Sequence, residues 1–527
     1  MISRRPFLAA AGLAALARPA LAAPQNHRVL KFVPQADLAL LDPVQTTGLV
    51  TRNHAMMVFD TLYGVDADLK ARPQMVEGHV TEDDGKSWRL TLRPGLKFHD
   101  GEPVLARDCV ASIKRWASRD SYAQTLMAAV DDLSAASDRE IRFRLKRPFA
   151  TLPDVLAKPA PNVCVIMPER LASQSGLQAV TEMVGSGPYR FNPSERVPGS
   201  LAVYDRFAGY VPRPEGAASY LAGPKVAHFD RIEWHTIPDA ATAAAALQRG
   251  EVDWWDQPIA DYLPLLKRDR AIKVEILDTF GVLPMLRFNH LLPPFDKPEM
   301  RQALLGAVSQ LDYMTAVAGD DHALWRDDVG FFAPGAAMAN DAGLQALRSP
   351  RDLEAVKRAL QKAGYGGERI VFPVPTDFAV LNTLSEVAAE MFRKVGLNLD
   401  YQALDWGTVL TKVASQKPID QGGWNVWANY TSGVGAVSPA SLTYLRGTGK
   451  AATFGWPTDP EMESLRDKWI DATDLSEQKS ISRDMQALAF QHVPYLPLGA
   501  LYQPTAYRAD LTGILKGFPM FWNVERV

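Results

Sequence analysis

Cysteine is nearly absent: Cys109 and Cys164 are the only two in 527 residues. That excludes a disulfide-built scaffold and a cysteine-rich metal cluster. Histidine is sparse as well. The nine are scattered, with no His-x-His, no His-Glu-x-x-His and no Cys-x-x-Cys, so metal-ligand spacing is missing, and neither a metal nor another cofactor is expected. Gly447-Thr448-Gly449-Lys450-Ala451 lacks the spacing and the hydroxyl residue of a phosphate-binding loop. The G-x-S-x-G spacing of a nucleophile elbow is absent around Gly185-Ser186-Gly187. No run reaches eighteen apolar residues, which argues against a membrane span. Neither sign of charge dominates: 57 Lys and Arg face 60 Asp and Glu, for a net charge of −3. A nucleic-acid or anionic-membrane partner is therefore not expected.

What is present begins with an address. Ser3-Arg4-Arg5-Pro6-Phe7-Leu8 fits the twin-arginine export pattern, a short apolar run continues to Ala17, and Ala20-Leu21-Ala22 is a cleavage site of the A-x-A kind. The expectation is a signal peptide over 1–22, cleavage near Ala22 and a mature periplasmic chain from about Ala23. No Cys follows the apolar run, so a lipid anchor is not indicated. Folded export accommodates a cofactor but does not require one. The length exceeds one hydrophobic core and implies two or more domains. In an oxidising compartment Cys109 and Cys164 either pair or serve as buried small hydrophobes.

The chain alternates short strands and amphipathic helices, so the class is α/β. Trp88, Leu90 and Leu92 alternate with polar residues as in a half-buried strand. Pro94-Gly95 turns the chain, Leu96–Phe98 reads as a second short strand, and His99-Asp100-Gly101 as a tight turn. Val104, Asp108, Ser112 and Trp116 are spaced for a helix. His99-Asp100 is not a catalytic pair, because adjacent strand residues point to opposite faces. His27–Val33 reads as a strand, 42–53 as a loop and His54–Tyr63 as a helix, with Asn53 as its cap rather than a pocket residue. Asn192–Lys225 reads as mostly loop, Phe229–Ile237 as a strand and Ala240–Leu247 as a helix. A helix from Pro298 is expected to bury Leu304, Leu305, Val308 and Leu311. Ser349-Pro350 marks a further helix start.

Together these segments resemble the family 5 extracellular solute-binding proteins, the large receptors of bacterial ABC importers. The similarity rests on four stretches in order: Phe98-His99-Asp100-Gly101 with Ala106-Arg107-Asp108; Gly185-Ser186-Gly187-Pro188-Tyr189; Leu247 to Gly250-Glu251-Val252-Asp253; and Asn289 with Pro293-Pro294-Phe295-Asp296 and Met300–Ala303. The resemblance implies a two-lobed periplasmic binding protein, type II-like and of the large class, with an extra small α/β subdomain. Lobe I would comprise 23–60, 185–279 and 494–527, the subdomain 61–184 and lobe II 280–493. The implied partners are a small-molecule ligand and the permease of an ABC importer, and the implied state is a monomer.

The resemblance also directs attention to a cleft between lobes. Gly422–Gly433 packs Trp424, Asn425, Trp427, Asn429 and Tyr430 into a few residues. One alternating set must face the core; the other can present an apolar wall and amide groups to a ligand. Peptide-binding relatives carry an Asp where Asn429 stands, and dipeptide-binding relatives an Arg in the loop that here is Val374–Ala379 and holds Asp377 instead. A standard zwitterionic peptide is therefore not the expected ligand; a peptide-like, amine- or opine-like or other polar nutrient is. Asp377 either wants a cationic or donor-rich ligand or is a solvated loop residue. Trp406 and Trp255 are aromatic candidates from the two sides, and Thr47 is a candidate from the first turn. Lys158 either reaches the cleft or is solvated. A receptor for a metal chelate needs few protein ligands, so that reading stays open. The alternative to a receptor is a secreted hydrolase acting on peptides or glycosides, since paired carboxylates are invisible in sequence.

Overall fold

The structure is a computed structural model describing residues 28–348, 350–472 and 474–527. The expected export peptide, the start of the expected first strand at His27 and the expected Ser349 cap lie outside the described residues. The helix expected near 350 runs Leu353–Lys362, with Asp352 accepting from the Ala355 N–H.

A seven-stranded sheet organises the first lobe. Its spatial order is Ile272–Glu275, Thr505–Arg508, Trp254–Trp255, Val29–Val33, Arg231–His235, Leu201–Arg206 and Tyr189–Phe191. The strand Val29–Val33 runs parallel to both of its neighbours. Such a strand is covered on both faces, which explains why its residues are mostly apolar. Phe32 meets Trp234, Trp254 and Phe521 at ring-centroid distances of 5.4, 5.5 and 4.9 Å. On the other face Val33 packs with Ala243 and Leu247 of the helix Ala240–Gln248. The strand Leu201–Arg206 lies where a loop was expected; Pro and Gly flank it, but Ala202, Val203 and Tyr204 are buried.

Between the first strand and Tyr189 the chain builds a four-stranded antiparallel sheet, ordered Val76–Glu82, Ser87–Leu92, Glu140–Leu145 and Val130–Ala135. The helix Ala106–Ala117 packs beside it. Leu96–Phe98 forms only a single bridge, Lys97 to Pro103, rather than a strand. His99 explains why the turn after it matters. It is buried; its Nε2 lies 3.0 Å from the Gly187 carbonyl, and its Nδ1 3.3 Å from the Gly185 N–H. The arrangement fits a neutral ring protonated on Nε2, and it ties the turn at 98–101 to the turn at 185–189. Burial depresses the His99 pKa to about 4. Cys109 and Cys164 are buried free thiols.

The second lobe holds the strands Trp325–Arg326, Ala500–Leu501, Val282–Phe288 and Val426–Ser432 in that order, with Tyr495–Pro497 also paired to Val282–Phe288. The return to the first sheet therefore comes later than the expected 494. Residues 495–501 still belong to the second sheet, and Thr505–Arg508 is the segment that rejoins the first. A parallel pair, Arg369–Pro375 and Asn398–Leu404, adjoins it. The helix from Pro298 stops at Leu305, and a second one, Gln310–Ala318, begins after it. Leu311 sits on that second helix and is exposed, contrary to its expected burial. The two chain crossings between lobes lie side by side: a Cβ on Gly281, whose φ is +59°, would fall 2.3 Å from the Leu501 carbonyl oxygen.

The His99 environment predicts acid sensitivity. The unfolded chain binds a proton near pH 6.5 and the folded ring resists it to about pH 4, so stability is full above 6.5 and declines as pH falls through that window, by about 3 kcal/mol in all. Denaturant melts of the wild type and of His99→Gln between pH 7 and 4 are expected to show a shallower pH slope in the variant.

Candidate functional site

The helix Leu49–Val58 begins five residues before the expected start at His54, and all ten of its residues are buried. Asn53 is thus no cap. Its Oδ1 accepts from Arg52 Nε at 3.2 Å and Nη2 at 3.0 Å, one position back in the same helix. The N-terminal end of this helix abuts the second lobe. Thr47, just before it, has its hydroxyl 3.2 Å from the Tyr444 hydroxyl. Asn429 Nδ2 donates to the same Tyr444 oxygen at 2.7 Å, leaving the phenol proton for Thr47. Tyr444 is held from behind by Arg287, whose guanidinium lies 5.4 Å from its ring centroid and donates to the carbonyls of Tyr444, Phe454 and Pro494.

The strand Val426–Ser432 divides as alternation requires, with one extension. Trp427 and Asn429 face a cavity of about 30 Å³ between the lobes, and Tyr430 lines it too. From the second lobe Trp406 and Phe378 complete the aromatic wall. Trp406 stacks on Trp427 at 6.3 Å and 24°, and Phe378 meets Tyr430 edge-on at 5.9 Å. Thr47 and Gln35 supply the first lobe's side. The Tyr430 hydroxyl is buried near Gln35 and Gln257, and burial raises its pKa.

Trp424 and Asn425 go elsewhere. Trp424 is fully buried against Trp427 and Trp456. Asn425 is a satisfied core amide: Oδ1 accepts from the Val371 N–H, and Nδ2 donates to the Pro293 carbonyl. It pins the parallel strand pair to the main sheet of its lobe. Asn289 cooperates by donating to the Trp424 carbonyl at 2.9 Å.

A wider opening of about 300 Å³ lies outside the aromatic wall and is lined by Asp37, Trp255, Asp377, Asp405 and Trp406. Asp377 is exposed, and its Oδ1 accepts from the Trp406 N–H at 2.7 Å. The cost of an unpaired buried carboxylate therefore does not arise there. Trp255 is mostly enclosed in the small core around Val33 and Leu247 and shows one edge to this opening. Lys158 is buried and bonded to Asp120, which also caps the helix Ser121–Ala129, so its ammonium is committed within the subdomain.

Sequence reasoning overlooked one group. Arg52 is 4% exposed, lies over Phe518 with 3.6 Å from its Cζ to the ring centroid, and reaches Ser432 of the second lobe at 3.4 Å. It borders a further cavity of about 50 Å³, together with Gln35, Asp256, Gln257 and Asp278. Burial lowers the Arg52 pKa and pushes Asp256 up to about 7. The signal in the sequence is the one cationic side chain among the apolar and uncharged polar residues around it, hidden because 42–53 reads as a loop.

Among the described residues no group of three His, Cys, Asp or Glu is placed to hold a metal ion, and no helix is long and apolar enough to cross a membrane. Residues 70–453 match the family model described as bacterial extracellular solute-binding proteins, family 5 middle. The chain is 37% identical, over all of its length and 99% of the relative's, to a probable peptide ABC transporter periplasmic-binding protein of Sinorhizobium fredii. It is 25% identical to a glutathione-binding protein of Pectobacterium atrosepticum, covering 97% and 96% of the two chains. Among solved structures, an Agrobacterium binding protein in complex with agropinic acid has a TM-score of 0.79 at 21% identity, covering 95% of this chain and 99% of that one. A Pseudoalteromonas dipeptide-binding protein with Met-Leu has a TM-score of 0.75 at 21% identity, covering 95% and 100%. The hydrolase alternative finds no support in these relatives. The two-lobed fold, the matching model and the full-length relative agree: this chain belongs to the family 5 bacterial extracellular solute-binding proteins, the solute-capturing components of ABC transporters, and it is a receptor rather than an enzyme.

Proposed function

We propose that the protein captures a small polar solute in the periplasm, between Thr47 on one side and Trp406, Trp427, Asn429 and Tyr430 on the other, and presents it as a monomer to a membrane permease. The observation that carries this reading is the small cavity walled from both lobes. A ligand touching both walls favours the closed arrangement by the difference between its affinities for the closed and open forms. Asn429 makes the only direct bond from this strand to Tyr444 among the described residues, and its Oδ1 has no protein partner there. An amide in this place offers a donor and an acceptor, but no charge for a peptide's terminal ammonium. The segment between Pro375 and Ala379 is Thr376-Asp377-Phe378, without an Arg for a peptide's carboxylate. Both features favour an amine- or opine-like or other polar nutrient over a standard peptide. Asp377 and Trp255 line the outer opening, where a longer ligand would extend.

Delivery to the periplasm rests on the Arg4-Arg5 pattern and the Ala22 cleavage site. Replacing both arginines by lysine is expected to leave uncleaved precursor in the cytoplasm, whereas the wild type yields a periplasmic protein starting near Ala23. Cell fractionation with N-terminal sequencing reads the difference, and unimpaired export of the double variant would remove the twin-arginine assignment.

Native mass spectrometry of protein taken from its own periplasm is expected to show a retained small molecule. Small-angle scattering should show a smaller radius with that molecule bound than after its removal; identical radii would refute closure. Trp427→Ala and Asn429→Ala are each expected to weaken the retained molecule's binding roughly 10-fold, the scale of one lost aromatic wall or hydrogen bond. Trp424→Phe, in the core, should leave affinity unchanged. Calorimetric titration separates these outcomes.

A further inference from the structure

The cavity beside Arg52 has a charge pattern that the aromatic wall does not. One guanidinium and two carboxylates border about 50 Å³ of space. Asp256 and Asp278 act electrostatically on Arg52, yet among the described residues no carboxylate lies within ion-pair distance of it. A buried guanidinium held apart from carboxylates is costly unless another group completes its bonding. Arg52 is also rigidly presented. Asn53 Oδ1 takes Nε and Nη2, Phe518 lies beneath the plane, and the contact of Nη1 to Ser432 is long at 3.4 Å. The remaining N–H groups form a planar fork suited to a carboxylate. Asp278 Oδ1 accepts from the N–H groups of Phe280 and Gly281, which fixes that carboxylate in the chain crossing between lobes. Asp256 is fixed by its backbone, whose N–H donates to the Val33 carbonyl at 2.9 Å.

Size narrows the occupant. A water needs about 10–15 Å³ of such space, so the cavity takes roughly four water-sized groups. An ammonium and a carboxylate carried on a single carbon are of that size. A dipeptide carries its two charges on carbons about 3.8 Å apart, with a peptide unit between them. The cavity shares Gln35 and Leu49 with the aromatic one, which in turn shares Gln35, Asp37 and Trp406 with the outer opening. A head group, a body and a tail can thus occupy the three spaces in sequence.

We propose that Arg52, Asp256 and Asp278 form the seat of an α-amino-acid head group, with the ligand's carboxylate on the Arg52 fork and its ammonium between the two aspartates. The assignment rests on the capture reading and specifies the ligand class for it.

The test is thermal melting of the full mature protein, stripped of any retained molecule, with a panel of free L-amino acids, their methyl esters, their N-acetyl derivatives, simple amines, simple carboxylates and dipeptides. At least one free amino acid is expected to raise Tm. Its ester and its N-acetyl derivative should not, because each removes one of the two charges. Arg52→Gln should weaken the binding of that amino acid roughly 10- to 100-fold, the loss of a charge-assisted pair. If Arg52→Gln fails to fold, the ester and N-acetyl arms decide alone. Equal stabilisation by an ester or an N-acetyl form, or stabilisation by amines, carboxylates or dipeptides only, overturns the head-group seat and leaves solute capture standing. No shift with any member overturns the seat as well; the capture reading falls with it only if native mass spectrometry also finds no retained molecule.

Discussion

Everything about the cleft depends on how one helix is held. Leu49–Val58 has no exposed face, so it cannot shift without moving the sheet of its lobe. Its C-terminal carbonyls are pinned: Gly187 N–H donates to the Val58 carbonyl, and a Cβ on Gly185 or Gly187 would fall 2.0 or 2.5 Å from the carbonyl oxygens of Val58 and Met57. No other residue allows that approach. His99 then clamps the same glycine turn from the far side through the 185 and 187 backbone groups. At its other end the helix delivers Thr47 and Arg52 to the second lobe. The turn around His99 and the cavity between the lobes thus lie at the two ends of one buried helix.

Buried ion pairs fix the rest of the first lobe around that helix. Arg115 bonds Asp42 at 2.6 Å, Lys225 bonds Asp60 at 2.7 Å, and Lys158 bonds Asp120, all with side chains almost fully buried. Such pairs are weak contributors to net stability, because removing both charges from water offsets most of their attraction. Their effect is directional. Asp42 also accepts from the Val44 and Val180 N–H groups, and so orients the loop leading to Thr47. Among the described residues Arg52 differs from these three cations in having no carboxylate within ion-pair distance.

The layered α/β architecture was legible because strand alternation and helix stripes are local properties. Arg231–His235 and Ala240–Gln248 fall within a few residues of their expected places. What failed was long-range. Tyr495–Pro497 looks the same in sequence whichever sheet it joins, and only its pairing with Met285–Arg287 decides. The helix at Leu49 was hidden because Gly48 begins it without a side-chain cap and its polar residues are buried, which erases the amphipathic pattern. Along the candidate strand, alternation puts Trp427 and Asn429 on the cavity side and Trp424 in the core. It could not tell that Asn425, although in the same alternating set, would spend its amide on Val371 and Pro293. The place of Lys158 and of Arg52 was illegible for one reason: the surroundings of a buried cation are set by tertiary packing, and nothing near it in sequence reveals them.

The two crossings between lobes touch at Gly281 and Leu501, close enough that a methyl group would not fit between them. If the lobes close on a ligand, two crossings in contact would bend together as one hinge and restrict sliding. A partner on the membrane that senses lobe orientation would then read one angular coordinate. Cargoes of different chemistry would present the same outward shape once enclosed, and selectivity would reside wholly inside the cleft.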